Sequence, residues 1–202
     1  MATWKEMEIY HQSSIPSLVK FFDKLQPSPD SALNLVKILI AHIRTHGWSY
    51  TTAAQSLQNA LSTKKINCDS LADLIICFCA YNNRPNNINA SVVQVQGPNS
   101  PVFLPQTKII QAGLRIEMNV QGKVAGVFFN SGHRVASVNS VCFDLITGNK
   151  GSQTNMNIAY VPCTKMLPPP ADRFSFNYLG LTHYLAIQPG STAQGLRKYT
   201  CT

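Results

Sequence analysis

Acidic residues are scarce in this chain: nine Asp and Glu stand against seventeen Lys and Arg in 202 residues, a net charge of +8. The imbalance comes from that scarcity rather than from clustered bases. Lys64-Lys65 and Arg197-Lys198 are the only adjacent basic pairs, and neither is interleaved with aromatics. A nucleic-acid groove needs a basic stripe with stacking rings, so no nucleic-acid partner is expected. A basic surface of this kind suits an acidic protein partner or simply solubility. No apolar run reaches the ~18 residues of a membrane-spanning helix. The first residues carry Lys5, Glu6 and Glu8 where a secretory leader needs an unbroken apolar stretch, so no cleavable signal is expected. Internal repeats and low-complexity tracts are also missing.

The six cysteines (Cys68, Cys77, Cys79, Cys142, Cys163 and Cys201) lack the spacing of a metal site. Cys77 and Cys79 form C-x-C with no second pair and no histidine at zinc-ligand spacing, so neither a structural zinc nor any other metal is expected. A chain of this length buries a sizeable core without staples, which favours reduced cysteines over a disulfide framework. Cys77, Cys79 and Cys142 read as small core residues.

What is present centres on residues 64–82, KKINCDSLADLIICFCAYN. Leu71, Leu74, Ile75 and Phe78 recur at helical spacing directly after Cys68, with Asp69 and Asp73 in the first turns. The spacing predicts a helix with the sulfur at its N-terminus. Unpaired backbone N–H groups and the positive dipole end favour a thiolate there. Lys64 and Lys65 act in the same direction and the acidic neighbours against it. Asp69 itself reads most simply as a first-turn helix charge.

Upstream, residues 1–63 read as helical. Ser14 and Pro16 open a helix with Ile15, Leu18, Val19, Phe22 and Leu25 on one face, ended by Pro27 and Pro29. A second helix starts at Asp30 or Ser31 and runs through Leu35, Val36, Leu39, Ile40 and Ile43 to Gly47. His42 and His46, four apart near its end, read as helix-end histidines rather than ligands. A third helix is expected over residues 52–61. After Asn82 the chain turns to short strands: residues 91–96, 109–120, 123–129, and a hairpin of 133–138 and 140–146 across Val138-Asn139-Ser140. Helices first and strands afterwards predict an α+β fold, the N-terminal helices packed on an antiparallel β-sheet. One domain is expected, with its helical part at 1–63, its core at 64–150 and a C-terminal extension at 151–202 set off by the Leu167-Pro168-Pro169-Pro170 linker.

The second informative stretch is SGHRVASVNSVCFDLITG, residues 131–148. His133 opens one expected strand and Asp144 lies on the next. In a hairpin the two become lateral neighbours, so the carboxylate can hold one imidazole nitrogen while the other faces a thiol. Nucleophilic catalysis requires that arrangement of base and orienter. His183 is a rival base, with Asp172 as its only nearby orienter. Asn67, Gln58 and Gln55 are the side-chain candidates for an oxyanion donor.

The order of Cys at a helix N-terminus, His opening a strand and Asp on the following strand resembles the transglutaminase-like branch of the papain-like superfamily. NCDSLADLIICFCAYNN is similar to its Cys helix, and GHRVASVNSVCFDLITG to its His strand with the Phe143-Asp144-Leu145-Ile146-Thr147-Gly148 ending. The likeness covers residues 64–148 and is closest to domains of bacterial toxins and injected effectors. Ile66 and Asn67 before Cys68, and Arg134 after His133, depart from the aromatic residues usual there. The resemblance implies Cys68 as nucleophile, His133 as general base and acid, and Asp144 as orienter, with no cofactor. It implies glutamine deamidation or transamidation of a target protein. The alternatives are a cysteine protease of the same fold and a non-catalytic protein-binding module. A monomer is expected, cytoplasmic in its producer, exported into a target cell by a specialised secretion system and accompanied by an immunity or chaperone protein.

Overall fold

The computed structural model describes residues 3–25, 31–51, 53–82, 89–95, 102–105, 118–120, 123–129, 132–146, 149–165, 173–178, 181–187 and 199–201. It is α+β, with helices concentrated in the first 81 residues and antiparallel strands thereafter.

The helices are α1 (Trp4–Tyr10), α2 (Ile15–Leu25), α3 (Ala32–Thr45), α4 (Leu57–Thr63), α5 (Cys68–Tyr81) and α6 (Gln153–Ala159). A capping box between Thr3 and Glu6 starts α1. Ser31 caps α3, and Gly47 takes the left-handed φ of 72° that the chain needs to leave the helix. The third helix is shorter than the expected 52–61. The Thr51 hydroxyl accepts from the N–H of Ala53, a local turn that competes with helix, and Ser56 then caps α4.

Helix α5 is the centre of the fold. Ten of its fourteen residues are buried, on every side of the helix. α1, α2, α3 and α4 pack on it from one direction, β3 and β7 from another. Phe78 meets Phe22 at a centroid distance of 5.0 Å, and Trp4 meets Tyr81 edge-on at the same separation. The Tyr81 hydroxyl donates to Asp23 at 2.6 Å, tying α5 to α2.

A four-stranded sheet of β3 (Ala90–Gln94), β7 (Arg134–Val138), β8 (Val141–Phe143) and β9 (Lys150–Gly151) runs antiparallel in that order. The expected hairpin is β7–β8, and its turn residues Asn139 and Ser140 have φ of 49° and 66°. Two successive positive φ values match the right-handed twist of the strands they join. A second, seven-stranded sheet combines β4 (Val102–Pro105), β5 (Met118–Val120) and β6 (Lys123–Phe129) with β10 (Val161–Lys165), β11 (Arg173–Tyr178), β12 (Leu181–Ile187) and β13 (Tyr199–Cys201). Its outermost strands β13 and β5 approach each other, so the sheet curls on itself. The segment after residue 150, expected as an extension, thus supplies four strands of a sheet begun at Val102. Of the expected strand at 109–120 only β5 lies among the described residues, as does none of the Leu167–Pro170 linker.

A two-stranded parallel ladder completes the described elements. β1 (Ser49–Tyr50) pairs with β2 (Lys65–Ile66), Tyr50 opposite Ile66, with Thr51 N–H donating to the Ile66 carbonyl at 2.9 Å. This ladder fixes Tyr50 against the entrance of α5.

Candidate functional site

Cys68 is the first residue of α5. Asn67, in extended conformation, caps the helix: its Oδ1 accepts from the Ser70 N–H at 2.8 Å, and the Ser70 hydroxyl accepts from the Asn67 N–H at 3.0 Å. The backbone N–H of a first-turn residue has no intrahelical partner, so that of Cys68 is disposed to meet an oxyanion. Cys68 is half-buried, whereas Cys77, Cys79 and Cys142 are fully enclosed. Burial pushes the thiols of Cys77 and Cys79 up to about 12 and that of Cys142 upward too, which leaves them inert packing groups.

His133 follows Gly132, whose φ of 85° turns the chain into β7 and is open to glycine without strain. Continuing the β7–β8 register places Asp144 opposite Val135, the diagonal neighbour of His133. The ring Nε2 lies 2.8 Å from Asp144 Oδ2, and the two side chains are 1% and 2% exposed. With Nε2 so engaged, Nδ1 is the nitrogen that remains for the sulfur. Burial alone would push the ring's pKa down. The Asp144 charge, its hydrogen bond, and the hydrogen bond and charge of Cys68 more than reverse this and raise it from 6.5 to about 9. The structure therefore brings Cys68, His133 and Asp144 together.

Asp144 is itself fixed on several sides. Its Oδ1 accepts from the Ile146 N–H at 3.0 Å, its own N–H donates to the Asn149 carbonyl at 2.8 Å, and Oδ2 also accepts from the Tyr160 hydroxyl. The Tyr160 ring packs 5.5 Å from that of His133. Tyr50 also interacts with Cys68. Burial, then the charges of Cys68, Asp144 and Asp69 and a hydrogen bond to Cys68, push its pKa far upward, so its hydroxyl keeps its proton.

Neither tyrosine was anticipated from the sequence. Tyr50 lies 18 residues before Cys68 and Tyr160 sits 16 after Asp144, separations at which no local periodicity links them. Of the expected amide donors, Asn67 is engaged elsewhere and no contact ties Gln55 or Gln58 to the sulfur. Asn67 spends its Oδ1 on the helix cap and its Nδ2 on the Ala53 carbonyl at 3.3 Å. Gln55 accepts from Asn59, and Gln58 is exposed on α4. The rival base His183 is a residue of β12, in the seven-stranded sheet, and Asp172 lies outside the described residues. His42 and His46 stack on each other with centroids 3.8 Å apart. Among the described residues no three His, Cys, Asp or Glu converge as a metal site.

At the rim, Arg134 reaches Asp69 at 3.4 Å and donates to Gln94 at 3.1 Å, with Arg134 and Asp69 both half-exposed. In comparisons with protein-family models, curated proteins and solved structures, nothing matched this chain. The class that fold and site define is thus an α+β protein with a helix-terminal thiol beside a buried histidine–carboxylate pair.

Proposed function

We propose that this chain is a thiol-dependent acyl-transfer enzyme with a papain-like, transglutaminase-like core, acting on glutamine side chains of a target protein as an effector or toxin does. One observation carries the reading: a half-buried cysteine at a helix N-terminus shares a contact with an imidazole whose far nitrogen is held at 2.8 Å by a buried carboxylate. A ring that keeps its proton through neutral pH is both the counter-ion for a sulfur anion and a ready general acid.

In this mechanism the Cys68 sulfur attacks the glutamine Cδ. The carbonyl oxygen becomes an oxyanion, received by the Cys68 N–H and the Tyr50 hydroxyl. As the intermediate collapses, His133 gives its proton to the departing nitrogen, ammonia leaves and a thioester remains. Water, losing a proton to His133, then attacks the thioester to yield glutamate and restore the thiol. A lysine amine in place of water yields an isopeptide bond. Asp144 holds the ring in the orientation both steps need.

The test is mass spectrometry of the protein after a limiting dose of iodoacetamide, across a range of pH. Cys68 is expected to be alkylated ahead of the other five cysteines, and His133→Ala to slow it. A glutamine-to-glutamate change of +1 Da in target peptides, absent with Cys68→Ala, then identifies the product. Alkylation of Cys68 at the common rate would leave a protein-binding module in place of an enzyme.

A further inference from the structure

A groove of about 540 Å³ lies between α1, α5 and β3, lined by Glu6 and Tyr10 from α1, Asp73 and Ile76 from α5, and Val92 from β3. Asp69, Asp73 and Ile76 fall on one stripe of α5, so the floor of the groove descends from the residue next to Cys68. Arg134, the neighbour of His133, joins Gln94 of β3 to Asp69, one helical turn before Asp73 on α5. Two of the groove's walls lead to the site: Cys68 is the first residue of α5, and Val95, just past the end of β3, donates its N–H to the His133 carbonyl.

Its β3 wall is a sheet edge. Among the described residues β3 pairs with β7 alone. Val95 donates to the His133 carbonyl at 2.9 Å and Asn139 to the Asn89 carbonyl at 2.7 Å, so the odd-numbered positions turn their backbone groups to β7. By the alternation of an antiparallel ladder, Ala90, Val92 and Gln94 turn theirs outward. Four residues of strand cover about 13 Å, matching the roughly 12 Å of helix between Cys68 and Ile76. An extended segment of about four residues fits that length.

The groove also has a sign. Its lining carries Glu6 and Asp73, two of only nine acidic residues on a chain whose net charge is +8, and Asp69 lies one turn earlier on α5. Among the described residues the lining holds no Lys or Arg, and nearby Arg134 is engaged with Asp69 and Gln94. Burial raises the pKa of Asp73, a cost that an arriving cation would offset.

From the open strand edge, the charge and the two walls that lead to Cys68 and His133, we infer that the groove takes an extended segment of the target protein as an added strand on β3, with a lysine or arginine of that segment against Asp73. The inference rests on the acyl-transfer reading and specifies its substrate. Asp73 lies five residues down α5 from Cys68, about 7.5 Å along the axis, which is roughly two residues of extended chain. The preferred target is therefore a glutamine with a basic residue two positions away in an unfolded segment.

The test is fluorescence anisotropy with fluorescein-labelled ten-residue peptides and the full chain carrying Cys68→Ala. The probe has a central glutamine, a lysine two positions away and valines around them. Replacing that lysine by glutamate is expected to weaken binding about tenfold or more, and Asp73→Asn to shrink that discrimination. N-methylation of one alternating set of peptide nitrogens should abolish binding while the other set is tolerated, a result that needs no change to the protein. Equal binding of the lysine and glutamate peptides, indifference to N-methylation, or no binding of the lysine peptide would each overturn the inference. Alkylation of Cys68 in the unaltered chain decides the acyl-transfer reading separately: a reactive Cys68 without peptide discrimination sinks the groove alone, and discrimination with an unreactive Cys68 sinks the enzyme alone.

Discussion

His133 and Asp144 meet across the β7–β8 hairpin, Nε2 to Oδ2 at 2.8 Å, with both side chains out of solvent. Removing one member of such a pair strands the other in a medium that solvates it poorly. Asp144→Ala is expected to cost about 3 to 5 kcal/mol in urea unfolding. Asp144→Asn keeps the shape and a hydrogen bond, and should cost clearly less. Both should slow Cys68 alkylation, because the ring loses the charge that holds its proton. Undiminished alkylation in Asp144→Asn would remove the carboxylate from the catalytic arrangement.

The same pair makes stability depend on pH in a defined window. The folded-state pKa of His133 lies above its ordinary value of 6.5, at about 9. A raised basic group contributes stability that is fully present below about pH 6.5 and lost as pH rises through about 9. The difference in urea midpoint between the unaltered chain and His133→Gln should therefore be largest near pH 6 and shrink toward pH 9.5. A difference that grows with pH would show the ring to be buried neutral instead.

The sequence carried the local parts of this structure further than its long-range parts. The α2, α3 and α5 helices were legible from start signals and a 3.6-residue period: Ser14 and Pro16 at α2, Ser31 before α3, and Asp69 and Asp73 in the first turns of α5. Asn67, the cap of α5, reads in the sequence only as a candidate oxyanion donor. The hairpin that joins His133 to Asp144 was legible from two alternating apolar runs around Asn139-Ser140. The Thr3–Glu6 capping box was present for α1 but no apolar period followed it, since Met7 alone of that helix is buried. Residues 52–56 read as helical on composition, yet the Thr51 hydroxyl bond to the Ala53 N–H and the Ser56 cap delay the start of α4. Pairing β4 with β10, and placing Tyr50 and Tyr160 around the sulfur and the carboxylate, depend on contacts between distant segments. No periodicity records such contacts.

Asn67 links folding to reactivity. Its side chain caps α5 and also ties the helix entrance to the Ala53 carbonyl. Asn67→Ala is expected to lower stability by about 1 kcal/mol, at most roughly 2, while Asn67→Gly costs only a few tenths. Fraying of the first turn would also turn the Cys68 N–H away from the sulfur's reaction partner. Alkylation and turnover should then fall together in Asn67→Ala and recover in Asn67→Asp, which restores the cap. A stability loss with both rates intact would confine Asn67 to folding.

In the proposed mechanism the two tyrosines are separable because they act at different steps. Tyr160 donates to Asp144 Oδ2, so Tyr160→Phe withdraws a bond to a buried carboxylate and should cost about 1.5 to 3 kcal/mol. Its effect on chemistry passes through the His133 orientation, and iodoacetamide reports it as slower alkylation. Tyr50 stands at the sulfur with a hydroxyl that keeps its proton, the form required to receive an oxyanion. Alkylation by iodoacetamide builds no oxyanion, whereas attack on a glutamine carbonyl does. Tyr50→Phe withdraws one hydrogen bond from the sulfur, so it should change alkylation of Cys68 far less than it lowers kcat for ammonia release, about 100- to 1,000-fold, with KM little changed. Equal losses in alkylation and turnover would assign Tyr50 to holding the sulfur rather than to the transition state.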